Sequence, residues 1–198
     1  MIKDKSSTLQ CENVTQEEKI MAYEITGHTV LTGLLGSPVA HSISPLMHNE
    51  SFRLLGLDYV YLCFDVNEET LPAAVAGLKT CGIRGFNLTM PNKNKIVELL
   101  DELSPEAQLI GAVNTVLNDN GKLIGYNTDG YGFMQSVRDA GHDITGKNIT
   151  VMGVGGASMA ICAQSALDGA ASVHIFARRT SRYWNRTQKF AENLSAKT

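Results

Sequence analysis

The stretch Asn148-Ile149-Thr150-Val151-Met152-Gly153-Val154-Gly155-Gly156-Ala157-Ser158 decides the fold. Asn148–Gly153 is the apolar, β-branched run of a buried strand, and Ala157–Leu167 reads as a helix. A glycine-rich turn between strand and helix lets backbone N–H groups approach a pyrophosphate, which then rests on the helix N-terminus. Gly153, Gly155, Gly156 and Ala157 are therefore candidate cofactor-binding positions. Ser158 stands where the usual fingerprint has Gly or Ala, and it is small enough for close helix–strand packing. No Lys-Ser or Lys-Thr pair follows the glycines, which excludes a P-loop. The bland alternative is a tight turn that holds no ligand.

The end of the next strand bears on which dinucleotide is meant. Ser172–Phe176 reads as that strand and Ser181–Ser195 as the following helix, with Ala177-Arg178-Arg179-Thr180 between them. An NAD site usually places Asp or Glu here for the ribose hydroxyls, whereas Arg suits a 2′-phosphate. Arg178 and Arg179 favour NADP, with NAD possible. A solvated basic loop is the competing reading.

Upstream the same alternation continues. Thr29–Leu35, Tyr59–Val66 and Ile83–Leu88 read as strands. Ser44-Pro45 opens a helix with Ser at the N-cap; Leu46, Met47, Phe52 and Leu55 share one face, and Gly56 ends it. Asn67–Thr80 reads as a helix with Leu71, Ala74, Val75 and Leu78 inward, and another helix is expected from about Asn92 to Leu100. Ser104-Pro105-Glu106 starts a short helix ending at Gly111. Asp119-Asn120-Gly121 joins Ala112–Leu117 to Lys122–Tyr126 as a hairpin, and Asp129–Ala140 is helical. The pattern is α/β with a mainly parallel sheet, and the polar stretch Gly141–Lys147 marks a seam between two domains.

Composition excludes several classes of function. In 198 residues, 17 Lys and Arg face 20 Asp and Glu, a net charge of −3, so no basic footprint for nucleic acid exists. Hydrophobic residues at 43% and charged residues at 19% describe an ordinary globular chain. No run of about 20 apolar residues is present to span a membrane. Cys11, Cys63, Cys81 and Cys162 are scattered, which argues against a zinc site, a redox pair or a disulfide framework; Cys63 and Cys162 read as buried thiols. Met1–Glu18 lacks the apolar core of a signal peptide and reads as a frayed leader, or as a short helix over Gln16–Tyr23. Cytoplasmic placement is the default expectation.

The first half holds the candidate reacting centre. Gly36-Ser37-Pro38-Val39-Ala40-His41-Ser42-Ile43-Ser44-Pro45 resembles the substrate signature of the shikimate dehydrogenase family. Asn87-Leu88-Thr89-Met90-Pro91-Asn92-Lys93 resembles its N-x-T-x-P-x-K loop, Gly111-Ala112-Val113-Asn114-Thr115 its G-A-x-N-T, and Asn127-Thr128-Asp129-Gly130 its N-T-D-G. The glycine turn at Gly153–Ser158 completes the order, and the form of the loop looks closest to the shikimate/quinate branch.

The resemblance implies a two-domain α/β oxidoreductase: a leader at 1–28, a substrate-binding catalytic domain at 29–128, and a linker helix with the first part of a Rossmann-like domain at 129–198. It implies NADP-dependent hydride transfer between 3-dehydroshikimate and shikimate in aromatic amino-acid biosynthesis, by a monomer or homodimer. Ser42 and Ser44 would bind the substrate carboxylate near a helix N-terminus, although Ser44 also suits a plain cap. Lys93 would stabilise the charge that develops on the ketone oxygen and donate the proton; an isolated lysine there is otherwise a solvated helix-start residue. Asp129 would hold Lys93 and accept a substrate hydroxyl, or else simply cap a helix. Asn114 would bond ring hydroxyls, with Thr89 and Asn87 lining the pocket; Asn87 is equally suited to bracing backbone groups.

His41 and His48 read as structural or surface residues, His28, His142 and His174 have no metal-partner signature, and Met90 and Met152 read as core. Ala177 and Thr180 depart from the family's usual Asn and Asp. The family continues beyond the last residue here, through later cofactor-sheet strands and a returning helix whose Gln contacts substrate. The resemblance therefore implies a longer natural protein, with an uncovered apolar sheet face in this stretch. Two other readings stay open, a quinate/shikimate dehydrogenase using NAD or NADP, and a non-catalytic substrate-binding fragment. A folate or amino-acid dehydrogenase sharing only the cofactor turn fits poorly, because the substrate motifs match too.

Overall fold

The computed structural model describes residues 24–181 and 183–195; the leader, Cys11 and the Gln16–Tyr23 helix lie outside them. The elements alternate as expected. They are β1 (Val30–Gly36), α1 (Ser44–Leu55), β2 (Tyr59–Asp65), α2 (Leu71–Thr80), β3 (Gly85–Leu88), β4 (Glu102–Leu103), α3 (Pro105–Ile110), β5 (Thr115–Asp119), β6 (Lys122–Tyr126), α4 (Asp129–Asp139), β7 (Asn148–Met152), α5 (Gly156–Leu167), β8 (Ser172–Phe176) and α6 (Trp184–Ser195). The expected helix at Asn92–Leu100 is one short 3-10 turn, Lys95–Leu99.

β1 to β6 form a six-stranded sheet in the order β2-β1-β3-β5-β6-β4, and β7 and β8 form a separate parallel pair. The larger sheet is mixed, with parallel pairings in the majority, β4 with β6 among them. β1 pairs in parallel with β2 and β3, but β5 returns antiparallel to both β3 and β6. The hairpin at β5–β6 forms as its turn chemistry requires: Asn120 and Gly121 take φ of 52° and 91°, the left-handed pair of a two-residue turn. Gly141–Lys147 falls between α4 and β7, where the two sheets part.

Alternate residues of β1 face opposite sides. Leu35 joins Leu71, Val75, Ile83, Phe86, Ile96 and Val113 in the main core under α2 and α3. Leu34 faces the other way, with Val39, Tyr61 and Phe52 beneath α1. The second sheet packs Val151, Val173 and Ile175 onto α5, whose Met159, Ala160, Cys162 and Ala163 meet Ile110, Ala112 and α6.

Several burial expectations are corrected. α1 buries none of its residues fully, and Leu46, Met47 and Leu55 are exposed. The helix instead rests on β2 through its polar and aromatic side, by His48, Asn49 and Phe52. Met90 and Met152 are also exposed, at 77% and 87%, because each sits at a strand's carboxyl end beside a cleft. Cys162 is buried, which pushes its thiol up to about 11, whereas Cys63 is only half-buried.

Gly130 is where α4 crosses α5. A Cβ there would collide with the Ala160 carbonyl oxygen, which is rigid helix backbone. We expect Gly130→Ala to destabilise the chain by about 1–3 kcal/mol, read as a lower urea midpoint at unchanged slope. An unshifted midpoint would mean that the crossing tolerates separation.

Candidate active site

A cleft of about 490 Å³ opens where β1 and β3 end. Ser42, Ser44, Asn87, Thr89, Lys93, Asn114 and Asp129 all line it, so residues spread from 42 to 129 are brought together. Backbone pairing makes that convergence. Ser37 N donates to Met90 O (3.0 Å) and Thr89 N to Leu35 O (3.1 Å), lashing the two loops after β1 and β3 to each other. Gly36 permits it, because a Cβ there would strike the Thr89 methyl. Both loops contain a cis X-Pro bond, Ser37-Pro38 and Met90-Pro91. Val113 N donates to Lys93 O (2.8 Å) and Leu88 N to Asn114 O (2.8 Å), which bring the lysine loop beside the G-A-x-N-T segment.

Asp129 is the first residue of α4, and its carboxylate turns toward the cleft instead of capping the helix. Lys93 Nζ donates to Asp129 Oδ2 at 2.7 Å, and Asn114 Nδ2 donates to Asp129 Oδ1 at 2.7 Å. Both members of the ion pair are about one-third exposed, at 30% and 32%, so solvent reaches them while their geometry stays fixed. Asn114 is buried and saturated: Nδ2 also donates to Thr128 Oγ1 (3.0 Å), and Oδ1 accepts from Thr128 N (3.0 Å) and Thr115 Oγ1 (3.1 Å). An ammonium beside a carboxylate in an open cleft can stabilise an oxyanion and exchange a proton with it.

On the opposite rim, the N-cap position of α1 is Ile43, and Ser44 is the first helical residue rather than the cap. Ser42 Oγ accepts from Ser44 N at 3.2 Å, so both hydroxyls sit at the positive end of α1. Asn87 is more engaged than the sequence suggests. Its Nδ2 donates to Thr115 Oγ1 (3.0 Å) and Asn114 O (3.3 Å), and its Oδ1 accepts from Tyr61 Oη (2.8 Å). His41 lines the cleft, exposed, while His48 stacks on Tyr61 at 4.2 Å between ring centroids, a structural contact. Tyr61, Thr115 and Thr128 escape sequence reading. Only the strand order, which places β2 two strands from β3, could have signalled Tyr61.

The glycine turn forms between β7 and α5. Gly153 has φ of 120°, a conformation that L side chains rarely adopt. A Cβ on Gly155 or Gly156 would meet only open space, so the N-terminus of α5 is uncovered by protein, with Ala157 in the same first turn. A second cleft, about 540 Å³, lies over this turn and the ends of β7 and β8. Gly153, Gly155 and Arg178 line it, whereas Arg179 is exposed and not part of the lining. A phosphate-bearing dinucleotide fits this donor set, with backbone N–H groups at the turn and one guanidinium at the far wall.

Residues 34–116 match the shikimate dehydrogenase substrate binding domain. The shikimate dehydrogenase (NADP(+)) of Listeria monocytogenes serotype 4b is 52% identical over 174 residues, covering 88% of this chain and 60% of that enzyme. A crystal structure of shikimate 5-dehydrogenase from Listeria monocytogenes, in complex with shikimate and NAD, superposes with a TM-score of 0.85 at 51% identity, covering 88% and 60% of the two chains. The ligand-free 5-ketofructose reductase of a Gluconobacter strain superposes at 0.80 with 36% identity, covering 87% and 61%. The chain thus spans about 60% of the length of the curated relatives it matches. Among the described residues, no helix is long and apolar enough to cross a membrane.

Burial between α1 and β2 holds His48 below its ordinary 6.5. The unfolded chain therefore takes up this proton more readily than the folded one. The contribution of His48 to stability is complete above about pH 6.5 and declines as the pH falls below it. We expect the melting temperature of the chain to drop more between about pH 7.5 and about pH 5.5 than that of His48→Phe, which keeps a stacking ring. Parallel pH dependences would mean that His48 titrates alike in both states.

Proposed function

We propose that this chain, which belongs to the shikimate dehydrogenase family, supplies the substrate-binding and proton-transferring centre of an NADP-dependent oxidoreductase interconverting shikimate and 3-dehydroshikimate. The observation that carries the reading is the Lys93–Asp129–Asn114 cluster, joined at 2.7 Å on both carboxylate oxygens in a cleft rimmed by two serine hydroxyls. In this reading residues 29–128 are the substrate domain, and 129–198 are the connecting helix and the start of the dinucleotide-binding domain.

The fold alone does not choose the substrate, since a 5-ketofructose reductase shares it. Ser42 and Ser44 favour a carboxylate, because their hydroxyls lie at the N-terminus of α1, where the helix dipole supports negative charge. Thr89 would face the ring hydroxyls of that acid, with Asn87 and Asn114 lining the wall behind them as amides bonded within the protein. When ketone is reduced, the Lys93 ammonium meets the developing alkoxide and gives it a proton. In the reverse direction Lys93, as the free amine, takes the hydroxyl proton as hydride leaves the ring carbon. Asp129 keeps Lys93 aimed and accepts a neighbouring ring hydroxyl. The cofactor, when bound, would supply the hydride in its reduced form, NADPH, and accept it in its oxidised form, NADP+; Gly153, Gly155, Gly156 and Ala157 would hold its pyrophosphate and Arg178 its 2′-phosphate, with Arg179 beside it. Quinate offers the same reacting alcohol and is a second substrate in this reading.

Two measurements test it. Calorimetric titration of the purified chain with shikimate should give saturable binding that Asp129→Asn weakens. Shikimate-dependent reduction of NADP should fall about 10²- to 10⁴-fold in Lys93→Ala, the loss expected for a general acid–base group. Binding without turnover would support the binding-fragment reading, and neither binding nor turnover would sink the site assignment. Faster turnover with NAD would overturn the roles of Arg178 and Arg179.

A further inference from the structure

We infer that Tyr61 is a positioning residue of this cleft, acting through Asn87 on the amide of Asn114 and so on the Asp129–Lys93 pair; the inference rests on the substrate reading above. Tyr61 is 3% exposed and fixed on every side. Its ring stacks on His48 with an interplanar angle of 15°. Its backbone N–H donates to Asn49 Oδ1 (2.8 Å), and its carbonyl accepts from Asn49 Nδ2 (3.0 Å). Both partners belong to α1, the helix that begins with Ser44 at the cleft rim. Burial also drives the phenol well above its ordinary range, so the hydroxyl always carries a proton to give.

That proton sets a direction. Tyr61 Oη donates to Asn87 Oδ1 (2.8 Å) and Asn87 Nδ2 donates to Asn114 O (3.3 Å), which together fix which end of the Asn87 amide is oxygen. Asn87 Nδ2 must then donate to Thr115 Oγ1 (3.0 Å). Thr115, having accepted, gives its own proton to Asn114 Oδ1 (3.1 Å). Asn114 is left with Nδ2 toward Asp129 Oδ1 (2.7 Å), and Asp129 Oδ2 remains for Lys93 (2.7 Å). Each donor determines the next, so the relay runs one way from β2 to the ion pair. Thr128 N also donates to Asn114 Oδ1 (3.0 Å), so losing Tyr61 Oη loosens the relay without reversing it. Without that hydroxyl, Asn87 Oδ1 loses its Tyr61 donor and the amide is held only through Nδ2, by Asn114 O (3.3 Å) and Thr115 Oγ1 (3.0 Å), so the relay slackens at its first link.

Tyr61→Phe keeps the ring and its stack and removes only the donor. We expect shikimate to bind this variant roughly fivefold more weakly, the scale of one buried hydrogen bond. The side-chain amide resonances of Asn114, three residues along the relay, should move in its nitrogen–proton NMR spectrum. Asn87→Ala should weaken binding too, with the double variant no worse than Asn87→Ala alone, because both changes break one relay. Affinity unchanged together with unmoved Asn114 resonances would overturn the role, as would additive losses. If the unaltered chain binds no shikimate, the substrate reading fails separately and the Asn114 resonances still decide: displaced in Tyr61→Phe they support the relay, unmoved they refute it. Should Asn87→Ala not fold, Tyr61→Phe and the same resonances carry the test alone.

Discussion

A largely buried amide must find most of its partners within the protein, and at Asn114 those partners fix how the sheet meets α4. Its backbone N–H donates to Tyr126 O on β6 and its carbonyl accepts from Leu88 on β3, so the residue is pinned between two strands before its side chain is considered. The side chain then holds Thr128 and Asp129 at the start of α4. An ion pair as open as Lys93–Asp129 contributes only about 0–1 kcal/mol, after solvent screening and the entropy of ordering a lysine. Its geometry is therefore set by the buried amide beside it, rather than by the attraction between the two charges. A charge-bearing group can in this way be both accessible and well placed.

The same short segment ties the two clefts together. Asp129 faces the first, while the next residue, Gly130, lies against the backbone of Ala160 in α5. α5 in turn begins at the glycine turn that borders the second cleft. One turn of α4 thus carries a carboxylate toward the first cleft on one side and seats the helix of the glycine turn on the other. Arg186 of α6 adds a second strap, donating to Asn94 Oδ1 (2.8 Å) in the lysine loop. Close helix packing at a residue without a side chain is what allows the helix of the glycine turn to approach the first cleft, and it gives Gly130 a packing role that its place beside Asp129 conceals.

Features that depend on neighbours in the chain were legible in advance. The Asn120-Gly121 turn, the Ser104 cap that accepts from Ala107 N, and Gly111 at the end of α3 follow from local backbone preferences and form as read. The strand–glycine–helix unit at Asn148–Leu167 is equally local. Strand direction was not, because β5 reverses only through its long-range pairing with β3. Periodicity also misassigned the face of α1. It groups Leu46 with Met47 as a core stripe, but a helix at the rim of a sheet can be anchored by aromatic stacking and one asparagine clamp. The apolar stripe then points outward.

Within the cleft, the residues legible from sequence are those whose own functional groups face the open space: Ser42, Ser44, Thr89, Lys93 and Asp129. What stayed hidden is the set of hydrogen bonds behind them. Asn87 could be read equally as a ligand or as a brace, because an asparagine amide serves both and only its partners decide. Here both ends of the amide are committed within the protein, to Tyr61 on one side and to Thr115 and Asn114 on the other. A tyrosine on an edge strand, twenty-six positions from Asn87, carries no local sign of such a role. The linkage exists because parallel pairing brings β2 and β3 to opposite sides of β1, with Tyr61 and Asn87 on one face. Side chains that line the cleft carry their own chemistry and can be read one at a time; those that hold them are constrained by topology, and become visible only once the strands are in order.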